Sequence, residues 1–93
     1  MITLESEIRV SPDVLFEEVM GEAVLLNLSS GKYYGLDPVG TRMWSLLSQD
    51  GRLRTAHQAL LKEYAVSEEK LAEDLQTFVG RLLSLQMLEA DEK

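Results

Sequence analysis

The chain contains almost none of the cysteine and histidine residues that serve as thiolate nucleophiles, general bases and metal ligands. Its 93 residues include no cysteine and a single histidine, His57. Without cysteine, thiolate nucleophiles, disulfides and cysteine-based zinc sites are excluded, and one histidine has no second histidine with which to share a metal. No nucleophile–base pair and no phosphate-binding loop can be assembled from the sequence. We therefore predict no catalytic residue, no metal site and no cofactor, and we expect His57 on the surface of a helix.

Two adjacent tyrosines, Tyr33 and Tyr34, are better suited to binding than to catalysis. Each offers a large apolar ring with a polar tip, which suits contact with a ligand. Because neighbouring side chains in a strand point to opposite faces, one tyrosine can join the core while the other lines a groove. Tyr34 shares its face with Leu36, which we expect in the core, but the sequence does not decide which tyrosine faces a ligand.

The segment that must position these tyrosines spans residues 23–47 and has the pattern strand, turn, strand, helix. The apolar run from Val24 to Leu28 is too short for a helix and predicts a buried strand. Ser29 to Gly31 predict a turn with positive φ at Gly31, and Lys32 to Leu36 predict the returning strand. A strand hairpin therefore carries the two tyrosines.

The helix that follows begins abruptly at Pro38. Asp37 can cap exposed helical N–H groups, and proline suits the first helical position because its missing N–H costs nothing there. The helix is predicted from Pro38 to Ser48, with Trp44 in the core or half-buried beside its apolar stripe. The residues of that stripe are Val39, Met43, Leu46 and Leu47.

The residues before this segment predict further strands. Glu7 to Val10 favour a short strand, which Ser11 to Asp13 end, because proline removes a ladder donor. Val14 to Met20 are rich in β-branched and aromatic residues and predict a second strand, with a turn at Gly21 and Glu22. The first forty residues are therefore expected to form a small antiparallel sheet.

Two more helices follow the first. One is predicted from Leu53 to Ala65, and a longer one starts after Ser67, a favourable N-cap. The long helix has a broad apolar face made of Leu71, Leu75, Phe78, Val79, Leu82 and Leu83. An acidic tail is expected from Glu89 to Lys93. A sheet followed by three helices predicts a single α+β domain over residues 1–93, arranged as a winged helix-turn-helix.

The charge and hydropathy of the chain narrow its function. Its net charge is −7, and binding to phosphate backbones depends on clustered Lys and Arg, so we expect no nucleic-acid partner. No run of residues approaches the roughly 18 apolar residues of a membrane span. The N-terminus has neither the basic start nor the apolar core of a signal peptide, so we expect a cytoplasmic location and no membrane partner.

An ordered set of residues resembles the PqqD-like family, the peptide-binding chaperones of pyrroloquinoline quinone synthesis, whose fold is also called the RiPP precursor peptide recognition element. The set spans residues 8–88 and includes Leu25, Leu26, Asn27, Leu28, Gly31, Lys32, Tyr33, Tyr34, Leu36, Asp37, Gly40, Trp44, Leu47, Leu60, Tyr64, Asp74, Phe78, Leu82, Met87 and Leu88. The segment from Gly31 to Leu36, together with Trp44, looks most like stand-alone leader-binding proteins of lasso-peptide pathways. Asp37 stands where the family usually has Asn, and both residues can cap a helix.

The resemblance implies a three-stranded antiparallel sheet, to whose edge a precursor's leader peptide adds as an extra strand beside the third helix. In this β-augmentation, the main chain supplies affinity and pockets for alternate side chains supply specificity. The implied peptide-binding residues are Lys32, Tyr33, Tyr34, Gly35, Leu36, Leu71, Asp74, Leu75 and Phe78. The bound precursor is then presented to a modifying enzyme or leader peptidase of the same pathway.

Other functions stay open on the residues alone. Phe78 also suits the core, the helical wheel does not settle Leu71 or Leu75, and the apolar face of the third helix can serve as an oligomer interface. An open sheet edge pairs with a second copy, in a homodimer, as readily as with a peptide. DNA binding through the third helix is disfavoured, because Lys70 and Arg81 lie there among acidic residues.

Overall fold

The computed structural model describes residues 2–91, so Met1 and the last two residues of the predicted acidic tail lie outside the described part of the chain. The elements of residues 2–91 are β1 (Ile8–Val10), β2 (Val14–Val19), β3 (Glu22–Asn27), β4 (Tyr33–Leu36), α1 (Pro38–Gln49), α2 (Leu53–Glu63), α3 (Glu68–Ser84) and β5 (Leu88–Ala90). Except for β5, each was predicted: the bounds differ by at most two residues, and for α3 only the start was predicted. The α+β class is confirmed, with the three helices after the N-terminal strands.

The strands β2, β3 and β4 form an antiparallel sheet in that order. Met20 and Gly21 connect β2 to β3 with φ of 56° and 83°, a combination typical of a two-residue hairpin turn. Glu22 belongs to β3 and not to the predicted turn, because the short connection leaves it paired with Val19. Gly31 has the predicted positive φ, 75°, between β3 and β4.

Only one face of this sheet is covered by the rest of the domain. On β3, Ala23 and Leu25 are buried, whereas Val24 between them is 46% exposed. Leu28, just after the strand, is exposed as well. The strand predicted to be buried is therefore buried on one face only. In an antiparallel sheet with one face on the core, every second side chain points to solvent.

The first and last strands form a separate two-stranded sheet. Strand β1 pairs antiparallel with β5, with Ile8 opposite Ala90. Across the pair, Arg9 Nε donates to Glu89 Oε1 at 3.0 Å, although the two residues are 80 positions apart. Strand β1 was expected in one sheet with the other N-terminal strands, and β5 was not predicted. Both points are wrong, because a three-residue strand with so distant a partner leaves no local pattern.

The helix starts have the predicted caps. Asp37 Oδ1 accepts a hydrogen bond from the Gly40 N–H at 2.7 Å, and proline occupies the first turn of α1. Ser67 Oγ accepts from the Lys70 N–H at 3.1 Å and caps α3. Trp44 is 3% exposed and belongs to the core, as expected.

Two helical side chains lie elsewhere than predicted. Val39 is exposed, because the buried face of α1 follows Met43 and Leu47 and leaves part of the first turn outside. His57 is buried, and its Nε2 lies 3.0 Å from the main-chain oxygen of Glu68, since α2 packs against the start of α3. No helix within residues 2–91 has the length and hydropathy of a membrane span.

Candidate functional site

The three-stranded sheet has an open edge at β4. Among the strands of residues 2–91, β3 is its only partner. The Asn27 N–H donates to the Lys32 C=O at 2.8 Å, which marks these two residues as a hydrogen-bonded pair. Because such pairs alternate along an antiparallel ladder, the N–H and C=O groups of Tyr33 and Gly35 point away from β3. The edge therefore presents two donors and two acceptors to an incoming strand.

The two tyrosines lie on opposite faces of β4, as predicted. Tyr33 is 75% exposed on the outer face of the sheet. Tyr34 is half-buried on the helix side, and its hydroxyl oxygen accepts a hydrogen bond from Arg81 Nη1 at 3.1 Å. The tyrosine that faces α3 is therefore Tyr34.

One side of α3 reaches β4 through Arg81. Asp74, Phe78 and Arg81 follow one another at spacings of four and three residues, so they share one side of the helix. Because Arg81 reaches Tyr34, this side of α3 runs next to β4. Phe78 is half-buried and packs against the core, whereas Asp74 and Arg81 are exposed. We call these three residues the α3 strip.

The α3 strip also meets the start of α1. A Cβ atom placed on Gly40 would lie 3.4 Å from Cε1 of Phe78 and 3.2 Å from Oδ1 of Asp37. A larger residue would crowd both the aromatic ring and the capping carboxylate, so Gly40 allows α1 to begin close to α3. The C-terminal end of β4, which runs directly into Asp37, therefore lies near Phe78.

The α3 strip carries charges of both signs. Lys70 Nζ lies 3.1 Å from Asp74 Oδ1, one helical turn away. This hydrogen bond to Asp74 raises the pKa of Lys70, and the carboxylates of Asp74 and Glu73 add to the effect. Both partners are exposed, so water screens the pair and either group can turn toward a ligand. The strip thus offers a carboxylate, an aromatic ring and a guanidinium along one line.

The other residues implied for peptide binding lie in two places. Lys32 is exposed at the start of the open edge. Leu36, Leu71 and Leu75 are buried, and Leu75 has no exposed surface at all. Core packing was expected for Leu36 and is confirmed. The structure brings the three leucines together in one core beneath the edge and the α3 strip.

Arg81 was not among the residues predicted for this site. The spacing along the helix could have indicated it. Arg81 follows Phe78 by three residues and therefore lies on the same side of α3. Within residues 2–91, no group of three or more His, Asp or Glu side chains is placed to hold a metal ion. The groups that the site does offer are main-chain donors and acceptors, an aromatic ring and charges, which suit an extended polypeptide.

One family and two solved structures resemble this chain. The profile of the family described as coenzyme PQQ synthesis protein D (PqqD) matches residues 22–88. The structure of TbiB1 in complex with the TbiA(beta) leader peptide is 35% identical, covers 91% of this chain and 99% of that one, and has a TM-score of 0.85. The structure of lasso peptide synthetase B1 complexed with the leader peptide has the same fold, with 24% identity, coverage of 88% and 96%, and a TM-score of 0.72. No curated protein sequence matches the chain.

Proposed function

Because this chain belongs to the PqqD family, we propose that it binds the leader segment of a ribosomally made precursor peptide and presents it to a modifying enzyme or leader peptidase. The observation that carries the proposal is the open edge of β4 beside the α3 strip. TbiB1, a protein of the same fold whose structure contains a leader peptide, supports it. We infer that the leader joins the sheet at the edge of β4.

The main chain of the leader pairs with β4. Tyr33 and Gly35 each direct one N–H donor and one C=O acceptor to the open side, and an added strand completes these hydrogen bonds. Each bond contributes on the order of 1 kcal/mol net, so the pairing supplies affinity for any extended sequence. A Cβ atom at Gly35 would have open space around it, so the face of the sheet is uncovered at this position.

Alternate leader side chains face α3 and supply the specificity. Burying a large apolar side chain against Phe78 and Tyr34 contributes roughly 1.5–3 kcal/mol, which exceeds a single main-chain bond. A leader carboxylate beside Arg81 adds a charge-assisted hydrogen bond, and a basic leader residue can replace the exposed pairing of Asp74 with Lys70. The α3 strip therefore selects among the sequences that the edge would accept.

The buried leucines hold this site in place before the peptide arrives. Leu36 anchors β4 in the core, and Leu71 and Leu75 anchor α3 in the same core. The hydrogen bond from Arg81 to Tyr34 joins the two elements directly. Since a site that is already formed loses less conformational entropy on binding, we assign these leucines a supporting role in leader recognition.

In this proposal the chain is an adaptor and the chemistry is done by the enzyme that receives the precursor. The site consists of groups that pair with a peptide backbone and its side chains. We infer that binding takes place in the cytoplasm, where ribosomes make the precursor.

Titration with a leader peptide, followed by NMR, tests the proposal. The TbiA(beta) leader is a defined first probe, and the leader encoded nearest to this chain's own gene is the second. We expect saturable shifts in the amide resonances of Tyr33 to Leu36 and of the α3 strip, with Kd between about 1 nM and 1 μM. Shifts confined to β1, β5 and α2 would contradict the proposed site.

A second candidate is self-association through the same edge, because its main-chain groups can pair with those of a second copy. Each copy carries a net charge of −7, which opposes such pairing. Sedimentation velocity at several protein concentrations distinguishes the two functions. A dimer that dissociates when the leader is added would assign the edge to both partners, and a dimer that excludes the leader would favour a structural module.

A further inference from the structure

The sheet has a second open edge, at β2. Among the strands of the described chain, β2 pairs only with β3. The Leu28 N–H donates to the Asp13 C=O at 2.9 Å, just before β2 begins, which marks a hydrogen-bonded pair. By the same alternation as at β4, the N–H and C=O groups of Phe16 and Glu18 point away from β3. This edge also presents two donors and two acceptors.

A depression of about 440 Å³ lies against this second edge, between β1, β2 and α1. It is lined by Val10, Phe16, Glu18, Trp44, Ser45 and Ser48. The Phe16 and Trp44 rings are nearly parallel, at 8°, with their centroids 6.5 Å apart. Phe16 is 41% exposed although it is on the core-facing side of β2, so its ring is left partly uncovered at the depression. The residues whose main chain faces outward are thus the same ones whose side chains line the depression.

We propose that the β2 edge is a second binding site, for an extended segment of a partner protein that carries a large apolar side chain and a basic residue two positions away. The segment pairs with the outward groups of Phe16 and Glu18. Its apolar side chain enters the depression against Phe16 and Trp44. Its basic residue, on the same face of the added strand, lies beside the Glu18 carboxylate.

The charge of the edge specifies the occupant. Glu17 and Glu18 are adjacent and exposed, on opposite faces of β2. Neither forms an ion pair with another residue in the range 2–91. A Lys or Arg of the partner therefore gains a contact that this chain leaves unmade. A second copy of this chain is a poor occupant, because it brings the same two carboxylates and a net charge of −7 to the joined edge.

The two edges can be occupied at the same time. Strand β3 separates them, so the added strands lie on opposite sides of the sheet. Neighbouring strands are about 4.8 Å apart, which places β2 and β4 about 10 Å from each other. The β2 site does not depend on leader binding at β4 and can be tested without any leader peptide.

Trp44 makes the site measurable, because it is the single tryptophan of the chain and lines the depression. The probe is the acetylated and amidated peptide Thr-Lys-Val-Leu-Val-Lys-Thr, in which Leu has Lys two positions away on both sides. The probe therefore fits the edge in either strand direction. We expect a saturable change in Trp44 emission at up to about 1 mM peptide. In NMR spectra, the amide resonances of Phe16 and Glu18 shift with the same dissociation constant.

Two neighbouring substitutions provide a matched test. Glu18→Lys reverses the charge on the face of the depression and is expected to weaken probe binding about tenfold or more, because a charge-assisted contact becomes a repulsion. Glu17→Lys makes the same change on the other face and is expected to alter binding less than about twofold. A peptide with Glu in place of both Lys is expected to bind the Glu18→Lys variant better than the unchanged protein.

Several results would overturn the proposal. Absence of a saturable signal, equal effects of Glu18→Lys and Glu17→Lys, or shifts confined to Tyr33 to Leu36 would each do so. A change at Phe16 that depends on protein concentration without peptide would assign the edge to a second copy. Because the probe is tested without leader, these outcomes leave the proposed function of the β4 edge unaffected.

Discussion

The two open edges of the sheet differ in what lies beside them. At β4, the edge is bounded by α3, and Tyr34 is joined to Arg81 by a hydrogen bond of 3.1 Å. At β2, the edge is bounded by α1, and Phe16 lies against Trp44 with nearly parallel rings. The main chain offers the same kinds of groups at both edges. Under the two proposals, the neighbouring side chains, and not the strands themselves, therefore distinguish what each edge binds.

The charges at the two edges differ as well. The groups near the β4 edge carry both signs, with Lys32 and Arg81 on one side and Asp74 on the other, whereas β2 carries the carboxylates Glu17 and Glu18. Under the two proposals, a segment with a basic residue is expected at β2, whereas the β4 site offers a partner to a leader residue of either charge, because complementary charges steer association.

The largest expected effect comes from Asn27→Ala, which removes a buried amide that joins the turn between β3 and β4 to the segment after α3. Asn27 is buried, its Nδ2 donates to the Gln86 C=O at 2.8 Å, and its Oδ1 accepts from the Ser29 and Ser30 N–H groups. We expect the free energy of unfolding to fall by about 2–4 kcal/mol, since three buried or partly buried groups lose their partner. Chemical denaturation measures this. The exposed neighbour variant Leu28→Ala should change it by less than about 0.5 kcal/mol, and equal losses would contradict the role of the amide.

Phe78→Ala is expected to weaken leader binding about thirtyfold, or about 2 kcal/mol, because the apolar wall of the β4 site is lost. Isothermal titration calorimetry with the leader measures the change. The matched control is Phe16→Ala, which removes the aromatic ring at the other edge and should leave leader affinity within about twofold. If both variants weaken the leader equally, the two edges are not independent.

Gly35→Pro is expected to weaken leader binding about tenfold, or about 1.4 kcal/mol, because proline removes one outward N–H from the β4 edge. The ladder to β3 keeps its hydrogen bonds, since this N–H points away from it. Glu18→Pro makes the corresponding change at β2. Each variant should weaken binding at its own edge only. NMR titration with the leader reports on the β4 edge, and titration with the peptide Thr-Lys-Val-Leu-Val-Lys-Thr reports on the β2 edge. A leader affinity that is unchanged by Gly35→Pro would rule out strand addition at β4.

The smallest effect is expected from Tyr34→Phe, which removes the acceptor of the Arg81 hydrogen bond. Leader affinity should fall about threefold, or about 0.7 kcal/mol, because the ring remains and only the link between β4 and α3 is lost. Tyr33→Phe removes the hydroxyl on the outer face and should have no measurable effect. Competition binding with a labelled leader resolves differences of this size. A larger effect of Tyr33→Phe than of Tyr34→Phe would indicate that the leader contacts the outer face of the sheet.

Features that depend on neighbours in the chain were predictable. The positive φ at Gly31, the cap at Asp37 and the cap at Ser67 each follow from the chemistry of one residue and the few around it. The alternation of Tyr33 and Tyr34 follows from the geometry of any strand. The hairpin that forms the β4 edge was therefore expected in its correct place.

Features that depend on distant partners were not predictable. His57 is buried because the start of α3 covers it, and nothing near His57 in the sequence indicates that contact. Strand β5 exists because β1 lies beside it, although Arg9 and Glu89 are 80 positions apart. Val24 is exposed because no layer covers the outer face of the sheet, whereas its apolar character alone favours burial.

The sequence by itself determined that this chain is an α+β domain with a tyrosine-bearing hairpin and a long amphipathic helix, because periodicity and capping are local properties. Only the tertiary structure decided which residues of that helix face an open edge. A helical wheel groups Leu71, Leu75 and Phe78 on one side, but the surrounding layers bury both leucines and leave Phe78 half-exposed beside Arg81 and β4. The physical reason is that burial depends on what packs against a face, and this is settled only when all the elements are assembled.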